Sequence, residues 1–266
     1  MVVFYAPKQG NDEREWEDGA AGSCGDPSTG RNPRFAVADG ATEAFGSARW
    51  AEQLVAGFVG LGQPDDCAEP PGLRRDAVHG WLELMQARWH QDPRAAGATD
   101  LERLKLARVG SFATLLGCEL SGLDGPQPRW DAVALGDTVL FHVRNHDLVT
   151  QFPRIAAEEF GVNPDGVPTK PGGLSGAVDR LADDGGQLAA GDRLYLATDA
   201  LAQWMVVAHQ RGPRSLWNAL ATLDHPAKFR NLVADRRRAD EMKNDDVTLM
   251  RVHLLATQPT HLVVCR

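Results

Sequence analysis

RFAVADG, residues Arg34–Gly40, is the stretch from which the rest of the chain can be read. Four apolar residues run without a polar interruption and stop at an acid and a glycine, the pattern of a short strand closed by a turn. Downstream, Ser47–Val59 carries Trp50, Leu54 and Phe58 at four-residue spacing, flanked by Val55 and Val59, which makes one apolar helical stripe. Leu73–Trp89 repeats it with Leu73, Ala77, Trp81, Met85 and Trp89, after a loop-like GQPDDCAEPPG at 62–72. The middle changes character. GSFATLLGCEL (Gly110–Leu120), WDAVALGD (Trp130–Asp137) and TVLFHVR (Thr138–Arg144) are short, β-rich and punctuated by turn residues, with Asn145, His146 and Asp147 at another turn. DRLYLATD (Asp192–Asp199) is a further strand ending in an acid, Ser215–Arg238 reads as a helix, and Val247–Leu255 reads as a last strand.

Strands and helices therefore come in blocks, which points to an α+β or layered sandwich and away from a dinucleotide-binding sheet or a (β/α)8 barrel. The phosphate-loop patterns GxxxxGK[ST] and GxGxxG are both missing in the right context. The stretch Pro153–Gly191 is rich in Gly, Pro and Asp and reads as a partly ordered insertion. A chain of 266 residues, 43% hydrophobic and 24% charged, has enough apolar material for a sizeable core without staples. A formal net charge of -8 disfavours nucleic acid or an anionic membrane as a partner. The four cysteines, Cys24, Cys67, Cys118 and Cys265, are scattered without CxxC or zinc-site spacing. No signal-like start is visible, and no apolar run approaches the roughly 20 residues of a membrane helix. The expectation is a soluble, cytoplasmic protein.

Four acidic sites stand against apolar strands: Glu17-Asp18, Asp39, Asp199 and Asp245-Asp246. One Asp-Gly pair alone is an ordinary turn. Several strand ends converging on one sheet edge would crowd carboxylates that repel one another and raise each other's pKa, unless cations neutralise them. Hard oxygen donors of this kind select magnesium, manganese or calcium over zinc or copper.

The phrases around these acids, in order, are WEDGAA (Trp16–Ala21), FAVADGATEAFGS (Phe35–Ser47), GSFATLLG (Gly110–Gly117), ALGDTVLF (Ala134–Phe141), LYLATDAL (Leu194–Leu201) and NDDVTLMRV (Asn244–Val252). Together they resemble the protein phosphatase type 2C (metal-dependent PPM) family over most of the chain. The resemblance implies a four-layer α-β-β-α sandwich of two antiparallel sheets flanked by helices, in one domain spanning 1–266. A variable flap would lie at about 153–191. It implies two manganese or magnesium ions. Asp39, Asp199 and Asp245 would hold one, and Asp18, Asp39 and the Gly40 carbonyl the other. Asp39 would bridge the two, and Glu17 would act through a coordinated water. The implied reaction is hydrolysis of phosphoserine or phosphothreonine in proteins by a water activated between the two cations, with Asp39 and Asp199 at its heart. A phosphorylated protein would be the substrate and a serine/threonine kinase the counterpart in signalling.

The chain departs from the family at identifiable positions. The arginine that grips phosphate falls near Glu13, so Arg14 beside it is the candidate, with Lys8 further back. Ala200 follows Asp199 where glycine is usual. Gln203 stands where an aspartate would pair with Asp137 for a third cation, so that third site is expected to be weakened or absent. Asp246 replaces asparagine, which leaves Asp245 and Asp246 as rival ligands, with alignment favouring Asp245. Gln203 and the displaced arginine motivate one alternative, a pseudophosphatase that binds a phosphoprotein or partner without turnover; a phosphatase for a small metabolite is a further one. His142 and His146 read as structural rather than metal-binding, and Arg236-Arg237-Arg238 as the solvated end of a helix.

Overall fold

Strands β3 (Arg34–Ala38) and β11 (Arg193–Ala197) are apolar after their first residue because both of their faces are covered. Successive side chains alternate across a strand, so Phe35, Val37, Leu194 and Leu196 point into a core shared by two sheets. Ala36 and Ala38 face helices on one side of the molecule, and Tyr195 and Ala197 face helices on the other. The computed structural model describes residues 1–26, 28–41, 46–61, 70–91, 99–100, 108, 110–161, 165–170 and 172–255.

The first sheet has the order β1-β12-β11-β7-β8, from β1 (Val2–Ala6), β12 (Val247–His253), β11, β7 (Val139–Arg144) and β8 (Asp147–Phe152). The second has the order β10-β6-β5-β3-β2, from β10 (Ala182–Gln187), β6 (Arg129–Leu135), β5 (Leu115–Ser121), β3 and β2 (Gly19–Ser23). The pairings within both sheets are antiparallel. Helices α1 (Ser47–Val59), α2 (Arg75–Gln91) and α3 (Leu174–Val178) cover the second sheet. Helices α4 (Asp199–Arg211), α5 (Pro213–Ala221) and α6 (Pro226–Arg238) cover the first. The expected four-layer α-β-β-α sandwich is the observed architecture.

Three local expectations change. The single helix over Ser215–Arg238 is two, because Pro226 supplies no N–H to an upstream turn and instead opens α6, with His225 capping it through Nδ1 at 3.1 Å from the Ala227 N–H. The partly ordered insertion at 153–191 is in its last part sheet: Ala182–Gln187 pairs with β6 as an edge strand. Before that, β9 (Val167–Pro168) pairs with β4 (Phe112–Ala113) and α3 packs against α2. The helix α4, which begins at Asp199 itself, has no counterpart in the sequence reading. The 62–69 part of the loop between α1 and α2, with Cys67, lies outside the described residues, as does Cys265.

The two sheets are also tied by a buried polar chain. Trp130 of β6 donates its Nε1–H to Nδ1 of His142 on β7 at 3.2 Å, which leaves the His142 Nε2–H to donate to Asp192 Oδ2 at 2.8 Å. Arg144 donates to both Asp192 oxygens at 2.8 and 2.7 Å, and the Ala189 amide adds a further bond at 2.8 Å. Burial alone would raise the Asp192 pKa, but the Arg144 and His142 hydrogen bonds outweigh it and hold the carboxylate below its ordinary range. Asp192→Asn strips the charge from a buried pair and should cost about 3 kcal/mol, read as a shift of the urea midpoint at neutral pH. A loss under about 1 kcal/mol would mean that this chain is not what joins the sheets.

Candidate metal centre

Five aspartates reach one end of the sandwich, each from a different part of the chain. The sheet register makes this inevitable. Ala38, at the end of β3, pairs with Gly19 at the start of β2, so Asp39 and Asp18 are thrown to the same edge. Ala197, at the end of β11, pairs with both Val139 at the start of β7 and Leu249 early in β12. Asp199, Asp137 and Asp245 therefore flank that edge from the other sheet.

Backbone contacts fix the two acidic segments against each other. A Cβ placed on Gly40 would lie 2.5 Å from the Glu17 carbonyl oxygen and 2.9 Å from the Ser47 carbonyl carbon, so only glycine permits this approach. Thr114 accepts the Asp39 N–H on Oγ1 at 2.9 Å and donates its own N–H to the Asp39 carbonyl at 2.8 Å. Its hydroxyl also lies 2.7 Å from that of Thr138, next to Asp137. Asp18 is buried, and its Oδ2 accepts from Thr248 Oγ1 at 2.7 Å and Thr198 Oγ1 at 3.1 Å. The Thr198 side chain thus stands between Asp18 and the helix that Asp199 begins.

The electrostatics are those of negative charges held together. Burial pushes the Asp18 carboxyl up to about 8, with Asp246 and Asp199 adding to the rise and the Thr248 and Thr198 hydroxyls opposing it. Burial and the charges of Asp18, Asp199, Asp137 and Asp245 carry Asp39 well above the usual carboxylate range. Asp199 rises to about 6 through burial, Asp137 and Asp245. Asp137 rises through burial, against the Gly161 N–H and the Lys243 charge. Two oxygens, Oδ1 of Asp18 and Oδ1 of Asp137, are buried with no hydrogen-bond partner among the described residues. A buried carboxylate oxygen without a donor is costly unless something positive meets it. Among the described residues no three His, Cys, Asp or Glu side chains are drawn into a closed cage. An all-oxygen donor set with two orphaned buried oxygens fits hard divalent cations.

The sequence-predicted residues fall out unevenly. Asp18, Asp39, Gly40, Asp137, Asp199 and Asp245 lie at this end, and Glu17 lies beside them. Glu17 accepts from Ser47 Oγ at 3.0 Å and faces the Lys8 ammonium at 3.7 Å. Asp245 and Asp246 differ in their hydrogen bonding. Asp246 is buried and uses both oxygens on backbone, accepting the Lys8 N–H at 2.7 Å and the Glu17 N–H at 2.8 Å, whereas Asp245 turns its charge on Asp39 and Asp199. Arg14 is exposed on a 3-10 turn (Glu13–Glu15), where its amide is capped by Asp12, and its guanidinium has no hydrogen bond or ion pair among the described residues. Lys8 is the basic residue at this end of the N-terminal segment. Gln203 lies one turn into α4 and donates to the Ala157 carbonyl at 2.7 Å. Sequence reasoning missed Thr198, Thr248 and Lys243. The two threonines each sit within three residues of a singled-out acid, which is the one signal that pointed to them.

No protein-family model matches the chain, and no curated protein matches it. Solved structures do. The serine/threonine phosphatase PstP/Ppp of Mycobacterium tuberculosis matches at 16% identity and a TM-score of 0.58, over 95% of this chain and 97% of that one. The serine/threonine phosphatase of S. agalactiae matches at 14% identity and 0.58, over 95% and 98%. The PstP catalytic domain in complex with two manganese ions matches at 17% identity and 0.53, over 93% and 94%. The fold of this chain is the fold of these serine/threonine phosphatases.

Proposed function

We propose that the chain is a metal-dependent phosphatase that removes phosphate from phosphoserine or phosphothreonine in proteins. One observation carries this reading: five mutually repelling aspartates at one end of the sandwich, two of them with buried oxygens that nothing in the described residues satisfies. The likeness to phosphatases, one of them solved with two manganese ions, supports both the reaction and the number of cations. Asp39, Asp199 and Asp245 are the residues that would hold one cation. Asp18, Asp39 and the Gly40 carbonyl would hold the other, and Asp137 lies at the margin. When bound, such a pair supplies Lewis-acid activation of water and neutralises charge on the phosphoryl group. Manganese and magnesium both suit the donors.

The chain's own residues supply the rest. Thr248 and Thr198 hold Asp18 Oδ2 and leave its buried Oδ1 without a hydrogen-bond partner among the described residues. Thr114 clamps the backbone of Asp39 on both sides. Asp246 anchors the Lys8 and Glu17 amides, which fixes the acidic N-terminal segment against Gly40. For the phosphate we favour Lys8, at 3.7 Å from Glu17, over the solvent-facing Arg14 as the basic group at the rim. The chain would act as one domain, with a variable flap at about 153–191. Among the described residues no helix is long and apolar enough to cross a membrane, and Cys24 and Cys118 are free thiols. Those thiols support a cytoplasmic setting.

Purified protein should hydrolyse a phosphothreonine peptide only with added manganese or magnesium and stop with chelator. Absence of metal-dependent turnover on phosphopeptides and on aryl phosphates would remove the enzyme reading. Turnover of sugar or nucleotide phosphates in preference to phosphopeptides would remove the protein-substrate part.

A further inference from the structure

Lys243 lies in the connection between α6 and β12, two residues before Asp245. Its ammonium donates to the Phe160 carbonyl at 3.1 Å, and the N–H of that same peptide unit, belonging to Gly161, donates to Asp137 Oδ2 at 3.0 Å. A single peptide group thus carries a cation at its oxygen end and a carboxylate at its nitrogen end, an arrangement in which each hydrogen bond polarises the other. Gly161 adopts a left-handed φ of +71°. A Cβ there would stand 2.7 Å from the Lys243 Nζ and 3.7 Å from Asp199 Oδ2. The ammonium and the Asp199 carboxylate therefore lie on the same side of Gly161, whose left-handed φ favours glycine.

Charge counting explains why a cation belongs here. Asp18, Asp39, Asp137, Asp199 and Asp245 bring five negative charges, and two divalent cations bring four positive ones. Glu17 has Lys8 beside it at 3.7 Å, and Lys243 is the cation whose charge acts on Asp137 and Asp199. Gln203 of α4 has its amide engaged with the Ala157 carbonyl.

We propose that Lys243 is a resident cation of the centre, its ammonium filling the position beside Asp137 and Asp199 that a further metal ion would otherwise take. This rests on the metal-centre reading above. Lys243 is a positioning residue in this scheme: it fixes the Asp137 carboxylate through the Phe160–Gly161 peptide and sets how many cations the chain loads.

The test is manganese stoichiometry by isothermal titration calorimetry and equilibrium dialysis, on the whole chain. Wild type should bind about two manganese ions, and Lys243→Met should gain a further, weaker one, for about three. The pair Lys243→Met with Asp137→Asn should return to about two, and Lys243→Arg, which keeps the charge, should stay there. A Lys243→Met protein that remains folded by circular dichroism and still binds two ions overturns the proposal. So does a third ion that persists in the double variant, since it would not be held by Asp137. Failure of wild type to bind any manganese is distinguishable from both, and removes this inference together with the reading beneath it.

Discussion

Asp39→Asn should leave a folded protein with more than about 100-fold less manganese-dependent activity. The size follows from position. Loss of an outer partner that merely orients a metal ligand costs about 10- to 100-fold, and Asp39 is the carboxylate on which four other aspartates act and the proposed bridge between both cations. The substitution is nearly isosteric, and both backbone bonds that hold this residue, to Thr114 Oγ1 and from the Thr114 N–H, survive it. Removing one of five crowded charges should even stabilise the chelated protein, because the repulsion is relieved. Steady-state hydrolysis of a phosphopeptide alongside thermal melting separates the two effects. A variant that retains a tenth of wild-type activity would show that Asp39 is not a bridge.

The second large effect concerns stability and pH. In the metal-free protein the folded-state pKa values of Asp18, about 8, and Asp199, about 6, lie above the ordinary carboxylate value near 3.9, and those of Asp39 and Asp137 are raised as well. A raised carboxylate favours the folded state fully below the unfolded pKa and loses that contribution as pH rises through the folded value. The chelated protein should therefore melt at progressively lower temperature between about pH 5 and pH 8.5. Manganese binds the ionised carboxylates, so its stabilisation should grow over the same range. At a free concentration about 1,000 times the dissociation constant it adds about 4 kcal/mol, or roughly 8–16 °C in Tm for a domain of this size. Differential scanning fluorimetry with chelator or manganese at several pH values measures the gap. A gap of equal size at pH 5 and pH 8 would mean that the metal does not meet these carboxylates.

The layers and most of the acids were legible in the sequence for physical reasons that differ by segment. Strands β3, β7, β11 and β12 announce themselves because two-sided burial leaves them apolar. Helices α1 and α2 announce themselves through stripes of tryptophan and leucine that face one core. By contrast β2, GAAGS, and β10, ADDGGQ, have almost no intrinsic strand propensity and exist because a neighbouring strand offers a partner edge. Helix α4 stayed hidden because LYLATD reads as a strand up to the residue where the helix begins. The acids were legible because each closes or opens an apolar run. Lys243 and the anchoring role of Asp246 were not, since they depend on Phe160 and on the amides of Lys8 and Glu17, contacts that no local pattern encodes.

Strand β12 lies between β1 and β11, so residues 2–6 find their partner in residues 247–251, and Asp18 takes its shorter threonine bond from Thr248. During synthesis the N-terminal strand and its acidic segment thus wait, without their sheet neighbour, until nearly every described residue has left the ribosome. Pairings that distant close late and slowly. The centre consequently cannot be assembled on a nascent or truncated chain that lacks residues 247–253, and a half-made product has no way to bring Asp18 and Asp245 together. The acidic centre is complete only once β12 goes in.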